Sequence, residues 1–536
     1  MTTMTTKTHH ETAAIGRSWL TSTAGILASR IFGLLRDIVL AWYWGSTGVM
    51  QAAFNVAFAI PNMLRALFSE GAFAAAFVPM VAAKLGEGDR AGAWRLAERA
   101  ISLQTAALGL ITLLGAALAA AIWAFLPDTA SEHVRLTFLI LPIVMPYALF
   151  ICLAGAFAAI LNSLRQFALP ALNPIIFNVV QIAAVGLIYP LWRLDELPAL
   201  IVFCFSILLA GLLQMLTLML LCRRQGFVFH FQPAWNDPEV RQFVAKILPA
   251  ILGNSVQQCN NLIDKALVMY LGPAAIGALA YSQHLVYLPT GIFGVAMGVV
   301  CLTSLSQAWN RGRLDEMASS LDFALRQMLF LTIPCAILGA VLAEPVIRIL
   351  FQRGAFNEEA VRECAWALRF YLPGLPAFCL AKVAITPHNA RKDTTTPVKV
   401  SLVCIGVNLV LNLILMQFLR QGGLALSTSI CSWLNVVALL WLCRPHLPQW
   451  QPAAAVRAAV PMLVAAALAG LAAWLGADSA AGRLAAWPAF PAQAAILLAG
   501  GAAGGMTYLA ACILFRCPEP RQLANCRKRS KTTVAP

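Results

Sequence analysis

The stretch LLRDIVLAWYWG, residues 34–45, decides the fold because a related stretch aligns with it later in the chain. Its second copy, NLIDKALVMYLG at 261–272, matches Asp37 to Asp264, Tyr43 to Tyr270 and Gly45 to Gly272. A further pair, LNSLRQFALP (161–170) and HNARKDTTTP (388–397), keeps the same offset and matches Asn162 to Asn389 and Pro170 to Pro397. Two matches at one offset mark an internal repeat.

The first copy lies in a run apolar enough to cross a bilayer. The whole chain shares that character: 60% of its 536 residues are hydrophobic and 11% are charged, with a mean hydropathy of +0.76. Soluble domains run nearer half apolar and a quarter charged, so the solvent must be lipid. At about 20 apolar residues per crossing, about fourteen spans are expected. Their limits are 20–45, 51–83, 93–126, 134–161, 169–192, 198–222, 240–271, 275–308, 318–350, 360–388, 397–419, 423–443, 454–476 and 489–516. The predicted fold is an all-α polytopic membrane protein. No cleavable signal peptide is expected, since the opening residues are polar and the first apolar span is long.

The repeat offset covers six spans, an even number, so both copies insert with one orientation. Such parallel repeats are related by an axis along the membrane normal, as in many transporters. Residues 20–222 are expected to form an N-lobe and 223–443 a C-lobe, with two added helices at 444–516. A cytoplasmic N-terminus (1–19) and a basic tail (517–536) complete the chain.

The net charge of +15 collects in short connections such as KLGEGDRAGAWRLAER, CRRQGF and NARKDTTTPVK, and in the tail RKRSK. The positive-inside rule then puts both termini in the cytoplasm. Arg348, Arg353, Arg362 and Arg369 are exceptions, on the outer side. Neither a soluble basic domain nor a recognition motif supports nucleic-acid binding. The fourteen cysteines stand singly in apolar segments and read as packing residues, not as metal ligands or a disulfide framework.

Within the first two spans lie Arg30, Arg36, Asp37 and Arg65. A charge at the bilayer centre costs about 2.5–3.5 kcal/mol on the mildest scale, so these residues need a reason. Arg30 and Asp37 are seven apart and fall on nearly one helical face, where they could pair; Arg36 lies about 100° around. Glu70 is a candidate partner for Arg65. Pairing explains one arginine. A hydrated cavity with excess positive charge explains all three, and the guanidinium fork suits phosphate.

SRIFGLLRDIVLAWYWG, FNVAFAIPNMLRALFSEGAFAAAFVPM, YLPTGIFGVAMG and TTTPVKV closely resemble the MurJ (MviN) family of lipid II flippases, in the MOP exporter superfamily. The resemblance implies a V-shaped carrier of two six-helix lobes around a central cavity, in the bacterial inner membrane. It implies transport of an undecaprenyl-pyrophosphate-linked peptidoglycan precursor, lipid II, from the cytoplasmic to the periplasmic leaflet by alternating access. Membrane lipids and cell-wall synthesis proteins are the other implied partners. Arg30, Arg36 and Arg65 match required cavity arginines, and Asp37 a cavity position. The sequence departs from the family in two places. Gln51-Ala52-Ala53 stands where an acid is usual, and His284, in Ser282-Gln283-His284, replaces a fourth cavity arginine.

In the C-lobe, Asp264, Asn408, Asn412 and Thr428 offer oxygens that suit a hard cation, and some family members resemble this set with a sodium site. Lys265 could instead neutralise Asp264, and interhelical hydrogen bonding is a common use of Asn and Thr in membranes. No other cofactor is expected. Gly500, Gly501, Gly504 and Gly505 form a doubled small-xxx-small pattern for close packing. In the family the last two helices also extend a groove suited to a polyprenyl tail.

Two other function classes fit less well. An exporter of another lipid-linked oligosaccharide shares the phosphate chemistry, whereas a drug-cation exporter would want cavity acids. A polyprenyl-phosphate-using enzyme needs a catalytic loop with paired carboxylates or a nucleophile–base motif, and none is found. The chain reads as a transporter, not an enzyme.

Overall fold

The computed structural model describes residues 28–69, 72–188, 195–484 and 487–520, with Gly25, Leu191 and Gln522. Every regular element among them is helical. The chain divides into two compact units at Pro273/Ala274.

The first unit contains α1 (28–44), α2 (Val49–Phe68), α3 (Ala72–Gly86), α4 (Arg90–Phe125), α5 (Glu132–Val144), α6 (Pro146–Ser163), α7 (Ala168–Ala183), α8 (Glu196–Arg224) and α9 (Pro238–Leu271). The second contains α10 (Pro273–Pro289), α11 (Val295–Asn310), α12 (Leu314–Val341), α13 (Ala343–Phe351), α14 (Glu358–Tyr371), α15 (Leu375–Ala384), α16 (Thr386–Ala390), α17 (Thr395–Leu419), α18 (Gln421–Cys443), α19 (Pro452–Arg483) and α20 (Ala489–Leu514).

Among the described residues, 12 helices are long and apolar enough to cross a membrane. Two expected spans do not add to them. The first begins outside the described residues, and only 28–44 is seen as helix. The seventh, α9, is a continuous helix of 34 residues whose many amides and charges place it outside that apolar set. The surface is apolar where lipid would lie: α4 exposes Leu110, Leu113, Leu114 and Leu118.

Proline sets several breaks. Pro146 opens α6 directly after α5, splitting the expected 134–161 span, because proline lacks the amide that would continue the ladder. The expected 318–350 span ends at Val341, and α13 follows as a separate nine-residue helix. Ion pairs on it hold two of the four outer arginines. Arg348 bonds to Glu358, and Arg369 Nη2 sits 2.9 Å from Glu344 Oε1. Paired charges of this kind are balanced locally.

The unit boundary differs from the expected 222/223. The α9 helix packs on the first unit through Phe243, which meets Phe73 and Phe77 edge-on. At its N-terminal end, Lys84 Nζ lies 2.7 Å from Glu239 Oε1 and Arg99 bonds to Asp237. At the other end, His133 Nε2 is 3.1 Å from the Met269 carbonyl oxygen.

The repeat is visible in the backbone. Arg165 and Lys392, equivalent by the sequence offset, both adopt positive φ, at 60° and 62°. The hydrogen bonds around them match too. Gln166 N donates to Leu161 O and Asp393 N to His388 O, both at 2.9 Å, while Arg165 N to Asn162 O and Lys392 N to Asn389 O are both 3.0 Å. A bulky residue at positive φ is uncommon, so its recurrence at matched positions is strong support for the duplication.

Candidate functional site

Asp37 is buried at 8% exposure on α1. Arg36 Nε and Nη2 donate to Asp37 Oδ1 at 3.1 and 2.7 Å. This is a contact between sequence neighbours, which the long arginine side chain reaches by folding back. The Arg36 guanidinium also lies 5.8 Å from the centroid of the Phe177 ring on α7. Phe177 in turn stacks on Phe58 of α2 and tilts against Tyr147 of α6, with centroids 6.0 and 5.4 Å apart. Aromatic faces attract guanidinium electrostatically, so three helices orient this one cation.

Asn178 of α7 ties the cluster to α1 by donating from Nδ2 to the Ser29 carbonyl at 3.3 Å. On α2, Arg65 Nε donates to Asn62 Oδ1 at 3.0 Å, one residue after the buried Pro61. Arg30 and Arg65 are both half-buried. The α1–α2 segment thus brings three arginines and one aspartate into one unit. Glu70, the candidate partner of Arg65, lies outside the described residues.

Three polar residues of the second unit form a hydrogen-bonded ring. Asn412 Nδ2 donates to Asn408 Oδ1 at 2.9 Å, Asn408 Nδ2 lies 3.3 Å from Ser427 Oγ, and Ser427 Oγ donates to Asn412 Oδ1. All three residues are buried, and the ring joins α17 to α18. Thr428 takes no part, since its hydroxyl donates to the Leu424 carbonyl at 2.9 Å. Asp264 belongs to α9 in the first unit, where Asn260 Nδ2 donates to its Oδ2 at 3.4 Å. Each amide oxygen accepts one hydrogen bond within this ring, and the hydroxyl beside the two amides is that of Ser427. Sequence reasoning missed Ser427. Its one usable signal was its place beside Thr428, opposite the Asn408/Asn412 face.

His284 is exposed on α10. Its neighbour Ser282 is buried, with Oγ 2.8 Å from the Cys364 carbonyl and 2.6 Å from that of Ala278, which anchors α10 to α14. Gln283 Nε2 donates to Tyr287 Oη at 2.9 Å.

A family model described as Lipid II flippase MurJ matches residues 40–487. The chain belongs to that MurJ family. A protein of Rhizobium tropici named "Probable lipid II flippase MurJ" is 32% identical over 466 residues, covering 86% of each chain. One of Vibrio cholerae with the same name is 34% identical over 434 residues, 79% of this chain and 82% of that one. Among solved structures, "Lipid II flippase MurJ, inward closed conformation" superposes with a TM-score of 0.73 at 24% identity, covering 93% of this chain and 99% of the other. An inward-facing MATE transporter of the MOP superfamily gives 0.66 at 12% identity, covering 80% and 98%. These two likenesses establish the shared fold.

The departures from the MurJ pattern have a structural counterpart at Gln51. This side chain is buried at 4% exposure, and its Nε2 donates to Asn55 Oδ1 at 3.4 Å. Gln51 Oε1 and Asn55 Nδ2 have no hydrogen-bond partner among the described residues. An amide pair with one acceptor and one donor unsatisfied among the described residues thus stands on α2, where the resemblance leads one to expect an acid.

Proposed function

We propose that this chain is a lipid II flippase that carries the lipid-linked precursor across the bacterial inner membrane without catalysing a covalent change. The observation that carries the reading is the α1–α2 charge set inside a MurJ-family chain: Arg30, Arg36 and Arg65 with Asp37 among otherwise apolar helices. Arginine grips phosphate through parallel N–H donors, and a pyrophosphate needs more than one such partner. Arg36, held by Asp37 and the Phe177 face, is the preorganised member. Arg30 and Arg65 supply the remaining positive charge. The polyprenyl tail stays in lipid while the headgroup crosses.

The direction is cytoplasmic to periplasmic leaflet by alternating access, with both termini cytoplasmic as the Lys and Arg distribution supports. His284 contributes a hydrogen-bonding imidazole in place of a fixed charge. The Asn408–Asn412–Ser427 ring joins α17 to α18.

Complementation tests the reading. The chain is expressed in a bacterium depleted of its own lipid II flippase, and rescue of growth is the expected result. A chain that inserts fully but fails to rescue would move the substrate to another lipid-linked oligosaccharide, with Gln51 and His284 as the residues that set it apart.

A further inference from the structure

Apart from the arginine set, the first unit contains an apolar cavity of about 520 Å³ between α4 and the N-terminal half of α9. Phe68, Phe73, Leu108, Phe243 and Leu248 are on its wall, and so are two polar side chains, Gln104 and Arg241. The volume lies in the range of ligand sites, and the lining has their usual form, an apolar wall with few polar groups.

Both polar residues point to a ligand. Gln104 is buried at 7% exposure. Its Nε2 donates to the Phe68 carbonyl at 3.0 Å, but its Oε1 has no partner among the described residues. A buried acceptor left unmade costs about 1–3 kcal/mol, so a donor is wanted there. Arg241 is exposed, and among the described residues its guanidinium bonds only to the neutral Asn236 Oδ1, at 3.4 Å. The nearby cations are committed elsewhere, Lys84 to Glu239 and Arg99 to Asp237. Trp235, also on the wall, is 59% exposed, and tryptophan marks membrane–water interfaces.

The connection between α8 and α9 carries Arg223 and Arg224, so the positive-inside rule sets this cavity at the cytoplasmic leaflet. Basic pockets between helices on that side take anionic lipid headgroups. One guanidinium matches the single charge of a phosphodiester, whereas a pyrophosphate brings more charge than this wall answers.

We propose that this cavity binds an inner-leaflet anionic glycerophospholipid with a hydroxyl-bearing headgroup, its acyl chain against the α4–α9 wall and its phosphate on Arg241. The site is separate from the α1–α2 arginines and serves a resident lipid, not the transported one.

The test is native mass spectrometry of the full-length chain in detergent. Phosphatidylglycerol, phosphatidylcholine and a polyprenyl pyrophosphate are titrated in turn. Wild type is expected to hold one phosphatidylglycerol at least about tenfold more tightly than phosphatidylcholine, about 1.4 kcal/mol. Arg241→Gln should erase that preference, and Ala245→Trp or Ala107→Trp should expel the lipid. Ala245 is exposed, so its variant keeps the test valid if Ala107→Trp does not fold. Equal retention of both phospholipids by wild type and all variants would overturn the proposal. So would displacement of phosphatidylglycerol by the polyprenyl pyrophosphate with the same sensitivity to Ala245→Trp, because the occupant would then be the transported class.

Discussion

Arg36 and Asp37 are consecutive on a helix, where side chains diverge by about 100°. A helical wheel therefore sets the two apart, and only the folded side chain reveals their 2.7 Å contact. The charge set was legible because charges in an apolar run are costly; the pairing within it was not. Arg36→Ala should abolish rescue in the flippase-depleted strain while membrane insertion, read by immunoblot of washed membranes, stays at the wild-type level. Ser427 shows the opposite limit. A serine on a membrane helix is ordinary, and only its bonds to Asn408 and Asn412 single it out. Because those partners are buried, Ser427→Ala should lower thermal stability by about 1–3 kcal/mol, measured as unfolding in detergent. Replacing Na⁺ by K⁺ in the same melt tests the cation reading: a large sodium-specific stabilisation would support it, and an unchanged melt would leave the ring as a contact between helices.

Among elements, α20 offers the clearest contrast. A Cβ at Gly504 would come within 2.4 Å of Leu338 Cδ2 and 3.0 Å of the Ala469 carbonyl oxygen. At Gly501 and Gly505 it would meet nothing within 4 Å. The doubled glycine pattern therefore contains one packing face, Gly500 and Gly504, and one open face. Gly504→Leu should destabilise the chain by about 1–3 kcal/mol through overpacking, while Gly501→Leu should be near neutral in the same melt. A sequence shows the spacing of small residues but not which of two offset stripes meets a neighbour.

The start of α17 is governed by Asp393, whose Oδ1 accepts from Thr395 N at 3.2 Å and Thr396 N at 3.1 Å. The Thr396 hydroxyl and amide, with Thr395, hold this carboxyl well below the usual carboxylate range. A depressed folded pKa adds stability that is complete above the unfolded value of about 3.9 and fades as pH falls below it. Asp393→Asn should thus flatten the loss of stability below about pH 4, and Asp393→Ala should cost about 1 kcal/mol at neutral pH.

For the whole molecule, the duplication was readable from two aligned segments and reappears as paired positive φ angles at Arg165 and Lys392. The span pattern was readable from hydropathy because lipid demands long apolar helices. The grouping of α9 with the first unit was not, because it rests on contacts such as Lys84–Glu239 between residues far apart in the chain. Proline breaks at Pro146 and the separate α13 were visible as residues but not as boundaries, since a proline inside a long apolar run either kinks or ends a helix.

The central claim is that the α1–α2 arginines of a MurJ-family chain handle a lipid-linked pyrophosphate. The most direct measurement is complementation of a flippase-depleted bacterium by wild type beside Arg30→Ala, Arg36→Ala and Arg65→Ala, with insertion checked for each. Rescue by wild type and failure by all three well-inserted variants is the predicted result. Full rescue by the Arg36→Ala chain would contradict the account.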